Sequence, residues 1–166
     1  MAPIPAATTV TTPFGPFTIL ARDSAVLAAG FTDDVQALLP LVHPMLRTPG
    51  DADLDLMTKA VHAYFDGDLT AIDAIPVEQR GGPFLTQGWA ALRVVPAGTP
   101  VSYTQLAARA GRPAAVRAAA QACARNAAAL FVPCHRVVRT DGALGGYRWG
   151  VGIKRHLLTH EGVNGS

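Results

Sequence analysis

Apolar and polar positions along this chain change period several times, and each change marks an element. Residues 11–21 (TTPFGPFTILA) and 25–31 (AVLAAGF) are apolar and β-branched enough for strands, with Arg22, Asp23 and Ser24 as turn residues between them. Thr32 or Asp33 is placed to cap a helix running to about Leu39, which Pro40 would end. Residues 48–53 have loop composition. Leu54, Met57, Val61, Tyr64 and Phe65 then recur at helical spacing, and Gly67 supplies a stop. Leu69 to Ile75 reads as a short strand and residues 79–83 as a linker.

Helical periods dominate the second half of the chain. Phe84 to Val95 carries Phe84, Trp89, Leu92 and Val95 on one face, with Gly88 interrupting it. Ser102 and Gln105 have capping-box spacing for a helix through Arg109, closed by Gly111. Pro113 suits the first turn of the next helix, which runs to Asn126. Leu130 to Val138 is apolar and β-branched, a strand or extended segment. Asp141-Gly142 makes a turn, and Ile153–Glu161 is a closing helix with Leu157 and Leu158 inward and Gly162 as its cap.

Composition changes this picture little. Apolar residues make up 49% of the chain and charged ones 16%, a globular balance. No apolar run reaches the ~20 residues of a membrane helix, and the first residues do not read as a signal peptide. Two cysteines are too few for a disulfide framework, so a reducing, cytoplasmic location is expected, with no membrane association.

Charge changes it more. Residues 1–82 hold four Lys/Arg against ten Asp/Glu, a balance of −6; residues 83–166 hold ten against two, a balance of +8. The sign changes at the linker, which sets the expected domains at 1–82 and 83–166. A basic second half points to a polyanionic partner, against the alternative of chance segregation of solvated charges.

Two helices joined by Ala110-Gly111-Arg112 suggest a helix-turn-helix. On the second, Val116, Ala119, Ala120 and Cys123 form an apolar stripe, while Ala114, Arg117, Ala118, Gln121 and Arg125 lie opposite. Major-groove readers need several long polar side chains at base-contacting positions. This smooth face instead suits a minor groove entered by one arginine. An ordinary alanine-rich helix pair packed in a core fits equally well.

Cys134 is the candidate nucleophile. His135, Arg136 and Arg139 are its cationic neighbours, which favour thiolate, and a histidine can also serve as its base. Adjacent strand residues face opposite ways, so Cys134 and His135 need a local turn or a bridging water to cooperate. In this half only Asp141 and Glu161 can orient the histidine. Cys123, Cys134 and His135 lack the paired spacing of a zinc site, so no metal is expected.

The residues Pro133-Cys134-His135-Arg136-Val137 resemble the active-site motif of the O6-alkylguanine-DNA alkyltransferases. The resemblance extends through Val101 to Ala107, Arg117, Asn126, Gly146-Tyr147-Arg148-Trp149-Gly150 and Leu157 to Gly162. It covers residues 83–162 almost continuously and the first half loosely, through Thr12 to Pro16 and Tyr64 to Gly67. It implies an α/β protein: a ribonuclease H-like α/β domain followed by a mainly helical domain with a winged helix-turn-helix-like motif. It also implies irreversible, single-turnover transfer of a methyl or longer alkyl group from guanine O6 to Cys134, and leaves thymine O4 as an open second substrate.

The implied roles follow residue by residue. His135 takes the thiol proton through a water, Glu161 orients His135, and Asn126 braces the turn before the active-site segment. Tyr103 assists at guanine N3, and Arg117 fills the gap left by the rotated nucleotide. Ala114, Ala118 and Gln121 lie along the DNA, Tyr147 packs on the base, and the backbone near Val137 and Arg148 reads its edges. The implied partner is double-stranded DNA carrying O6-alkylguanine, met through the minor groove by a monomer with no cofactor and no obligate protein partner. Trp149 stands where some members have glycine, so a narrower pocket and slower labelling by benzylguanine are expected. Two other readings stay open: a lesion-binding module without chemistry, whose representatives lack the cysteine, and a regulator sensing alkylation through Cys134.

Overall fold

In the computed structural model, which describes residues 5–163, the chain divides into two compact units. The first runs to Gln79 and takes in Ala127–Phe131; the second holds Arg80–Asn126 and continues from Val132. Residues 127–131, which the sequence reading assigns to the second domain, therefore cluster with the first. The outermost residues of both domain ranges, 1–4 and 164–166, lie outside the described residues.

The first unit is built on three antiparallel strands in the order β1 (Ala6–Thr12), β2 (Gly15–Arg22), β3 (Ala25–Gly30). The single strand expected over residues 11–21 is in fact a hairpin. Gly15 adopts φ +109°, and Thr12 Oγ1 donates to the Gly15 carbonyl at 2.7 Å and accepts from Phe14 N at 3.1 Å, so the chain reverses at Pro13-Phe14. Beyond β3, parallel bridges pair Val26 with Val77 and Ala29 with Ala128. Short α1 (Val35–Leu38) is capped by Asp34, not Thr32 or Asp33, and Pro40 sits inside a following 3-10 turn, Leu39–Leu41.

Helix α2 (Leu54–Phe65) begins and ends where its period predicts. Asp53 caps it, and it turns Met57, Ala60, Val61 and Tyr64 inward. Leu69 to Ile75 is not a strand. It forms a 3-10 turn, Ala71–Ala74, which buries Ile72 and then Ile75, three residues on, as that period requires. Phe17, Ile19, Leu20, Leu27, Leu38 and Tyr64 are fully buried in this unit.

The second unit consists of α3 (Pro83–Arg93), α4 (Tyr103–Arg109), α5 (Val116–Ala124) and α6 (Val151–His160), with a two-stranded parallel sheet of β4 (Val101–Ser102) and β5 (Val137–Val138). The Ser102–Gln105 capping box is complete: Ser102 Oγ accepts from Gln105 N at 3.0 Å, and Gln105 Oε1 accepts from Ser102 N at 2.8 Å. Helix α5 starts three residues after Pro113, because residues 112–115 close a turn of their own, Ala115 N donating to Arg112 O at 2.9 Å.

Gly88 has a packing reason. A Cβ placed there would lie 2.8 Å from Ala122 Cβ, so α3 approaches α5 where only glycine fits. Next to it, Trp89 Nε1 donates to Ala122 O at 2.9 Å. No helix among the described residues is long and apolar enough to cross a membrane.

Candidate active site

The segment expected to be extended from Leu130 to Val138 is mostly bent. Leu130 takes φ +71°, Pro133 has no N–H to give to a ladder, and Cys134–Arg136 form a 3-10 turn before β5 begins. Cys134 N donates to Val132 O at 2.8 Å and Arg136 N to Pro133 O at 3.0 Å. This is the kind of local turn that frees Cys134 and His135 from the opposite-face rule of a strand.

His135 is wholly buried, and its Nε2 lies 2.7 Å from Glu161 Oε2. Arg136 clamps the same carboxylate, donating from Nε to Oε1 at 2.9 Å and from Nη2 to Oε2 at 3.0 Å, while its Nη1 donates to Val95 O at 2.8 Å. Burial alone would push the Glu161 carboxyl up. The hydrogen bonds from His135 and Arg136 and the charge of Arg136 outweigh it and hold the group at about 2, so it stays ionised. Burial keeps His135 below its ordinary 6.5, against the pull of Glu161. A neutral imidazole bonded to a carboxylate carries its one proton on Nε2, so Nδ1 is bare. That Nδ1 is buried and has no hydrogen-bond partner.

The thiol differs from the sequence expectation. Cys134 is half-buried, and although cationic neighbours favour thiolate, desolvation by the surrounding protein pushes its thiol above the ordinary 9.0. A hydrogen bond from the Asn126 side chain and the charges of Lys154 and Arg148 oppose this without reversing it. Asn126 is itself buried, and its Nδ2 donates to Val132 O at 2.8 Å, tying the end of α5 to the residue before Pro133.

Lys154 is a charged group at the site that sequence reasoning missed. It is fully buried and donates from Nζ to Val137 O at 2.7 Å and to Gly146 O at 3.2 Å, joining the active-site strand to the loop before α6. A signal was available: Lys154, Leu157, Leu158 and Glu161 follow i, i+3, i+4, i+7 and share one buried face. Lys154 also narrows what Val137 can offer. The Val137 N–H donates to Cys134 O, and its carbonyl already accepts from Lys154 Nζ.

Of the other candidates, Tyr103 and Arg117 line a cleft of about 360 Å³ together with Val116, Ala120, Arg139, Thr140 and Asp141, whereas Ala114, Ala118, Gln121, Tyr147, Arg148 and Trp149 are not among its lining residues. Burial, then the nearby cysteines, pushes the Tyr103 phenol up to about 12. Arg117, Ala114 and Gln121 are exposed, and Ala118 is half-buried. The buried line of α5 runs through Ala119 and Ala122, leaving Val116, Ala120 and Cys123 half-buried. Tyr147 and Trp149 are half-buried in the loop before α6, and the Tyr147 hydroxyl is buried without a partner. Arg148 is exposed and donates to Ala124 O.

Residues 6–79 match the family model of the 6-O-methylguanine DNA methyltransferase ribonuclease-like domain, and residues 83–163 match that of its DNA binding domain. Among curated proteins, the bifunctional transcriptional activator/DNA repair enzyme Ada of Escherichia coli is 44% identical over 135 residues, covering 80% of this chain and 38% of that protein. A methylated-DNA–protein-cysteine methyltransferase of Shigella flexneri is 33% identical over 159 residues, covering 92% of this chain and 93% of that one. This chain spans about two fifths of the first curated relatives it matches. A crystal structure of Mycobacterium tuberculosis OGT in complex with DNA superposes with a TM-score of 0.74 at 29% identity, covering 93% of this chain and 91% of that one.

Proposed function

The chain belongs to the 6-O-methylguanine DNA methyltransferase family, and on that premise we propose that it moves a methyl or longer alkyl group from guanine O6 in DNA to its own Cys134. The observation that carries this reading is the buried His135–Glu161 pair, whose bare Nδ1 belongs to the residue next to a protonated thiol. The thiol proton passes to Nδ1 through one water. Glu161, held ionised by Arg136, stabilises the imidazolium that forms.

The thiolate then attacks the alkyl carbon. A carbon–sulfur bond forms as the carbon–O6 bond breaks, and the electron pair returns to the purine. Tyr103 supplies a proton at guanine N3. The product is a thioether, which thiol exchange does not reverse, so each molecule acts once.

A base stacked in a duplex hides its O6 group, so the nucleotide must rotate out at a cost of about a few kcal/mol. Arg117 projects from the exposed side of α5 and fills that gap. Ala114, Ala118 and Gln121 lie along the minor groove, while Tyr147 packs on the extruded base. The backbone at Arg148 and near Val137 meets its edge, and Trp149 narrows the pocket. The protein acts as a monomer in the cytoplasm, where its two free thiols stay reduced, and thymine O4 is a secondary site.

Intact-protein mass after mixing with a duplex containing one O6-methylguanine tests this. One added methyl group per molecule, absent in Cys134→Ala, supports transfer. A bound duplex with no added mass would make the protein a lesion-binding module instead.

A further inference from the structure

Residues 83–166 contain only two carboxylates, Asp141 and Glu161, among ten lysines and arginines. Glu161 is buried and occupied by His135 and Arg136. Asp141 is thus the one exposed acid of this stretch, and it lines the same cleft as Arg117 and Tyr103. On the proposed DNA-binding function, a carboxylate lining a cleft beside Arg117 and Arg139 works against the approach of phosphates, so its placement calls for a reason.

The local geometry supplies one. Asp141 Oδ2 lies 3.4 Å from Arg139 Nη2, and the two side chains are 61% and 60% exposed. The pair stands on a tight turn: Arg139 N donates to Ala143 O at 2.8 Å, Gly142 N to Arg139 O at 3.0 Å, and Ala143 N to Asp141 Oδ1 at 3.0 Å. So open a pair is weak and exchanges readily with another anion. We propose that Asp141 holds Arg139 as an internal competitor of the DNA backbone, which a phosphate must displace when the duplex enters the cleft. The effect is to lower affinity for undamaged DNA and so shorten residence at non-target sites. The proposal rests on the DNA-binding function proposed for this chain.

Asp141→Asn separates this role from that of the turn, because asparagine keeps the Oδ1 acceptor for Ala143 N. Binding of a fluorescent undamaged duplex is measured as salt is varied. Asp141→Asn should bind about three- to tenfold more tightly at low salt, with a salt slope steeper by up to about 0.9, because no carboxylate is then freed to take up a cation as the phosphate binds Arg139. In the Arg139→Gln background the same substitution should gain little. Equal affinity and slope for wild type and Asp141→Asn would leave Asp141 a turn residue only. A gain undiminished in the Arg139→Gln background would overturn the role of Arg139. Failure of the wild type to bind any duplex would instead sink the DNA reading itself.

Discussion

At Cys134, burial and the surrounding cations pull in opposite directions, and burial prevails because desolvation penalises the thiolate more than Lys154 and Arg148 stabilise it. His135 is displaced the other way, below 6.5, for the same physical reason. The resting pair is therefore a neutral thiol beside a neutral imidazole across the interval between the two groups. The rate of alkyl transfer in single-turnover experiments should be level from about pH 6.5 to 9, and an inflection inside that window would show that one of the groups titrates freely. Glu161→Gln removes the charge that stabilises the imidazolium and should slow transfer about 10²-fold or more. The same carboxyl links pH to stability. Its folded value of about 2 lies below the ordinary 4.5, so its contribution is full above pH 4.5 and is lost as pH falls towards 2. Urea unfolding across that range should show a shallower acid decline in Glu161→Gln than in the wild type. Lys154 shows what residue-level reading overlooks: taken singly a lysine reads as surface, yet this one shares a stripe with two buried leucines and the buried carboxylate of Glu161.

Between elements, the contact of α3 with α5 is decided by Gly88. Helix propensity alone favours alanine there by about 1 kcal/mol, yet an added Cβ would meet the short, inflexible Ala122 side chain at 2.8 Å. Gly88→Ala is therefore expected to destabilise the fold by about 1–3 kcal/mol in chemical denaturation, as overpacked cores do. Ala122→Gly in the same chain should recover part of the loss. Long periodic helices such as α2 and the capping box of α4 are legible because their signals are local. The 3-10 turns at Ala71–Ala74 and Cys134–Arg136 are not, since a few apolar residues suit a strand and a turn equally well until their neighbours are known.

Over the whole molecule, the −6 and +8 balances of the two halves predict how DNA is met. Affinity for undamaged duplex should fall linearly with salt on logarithmic axes, by about 0.9 for each phosphate neutralised. Arg117→Ala should reduce that slope by no more than one such unit while lowering alkyl transfer to O6-methylguanine duplex further than binding. Equal losses of both would reduce Arg117 to a phosphate contact. The charge split, the helix-turn-helix spacing and the motif that carries the family resemblance are all encoded by residues close together in sequence, and these the sequence determined by itself. The tertiary structure decided what depends on chain segments far apart: that Arg136 and His135 share Glu161 across 25 and 26 residues, that Lys154 reaches back to Val137, and that residues 127–131 leave their neighbours to pair with β3. Desolvation depends on how distant segments pack and not on composition, so only the folded chain shows the Cys134 thiol raised where its sequence neighbours favour lowering it.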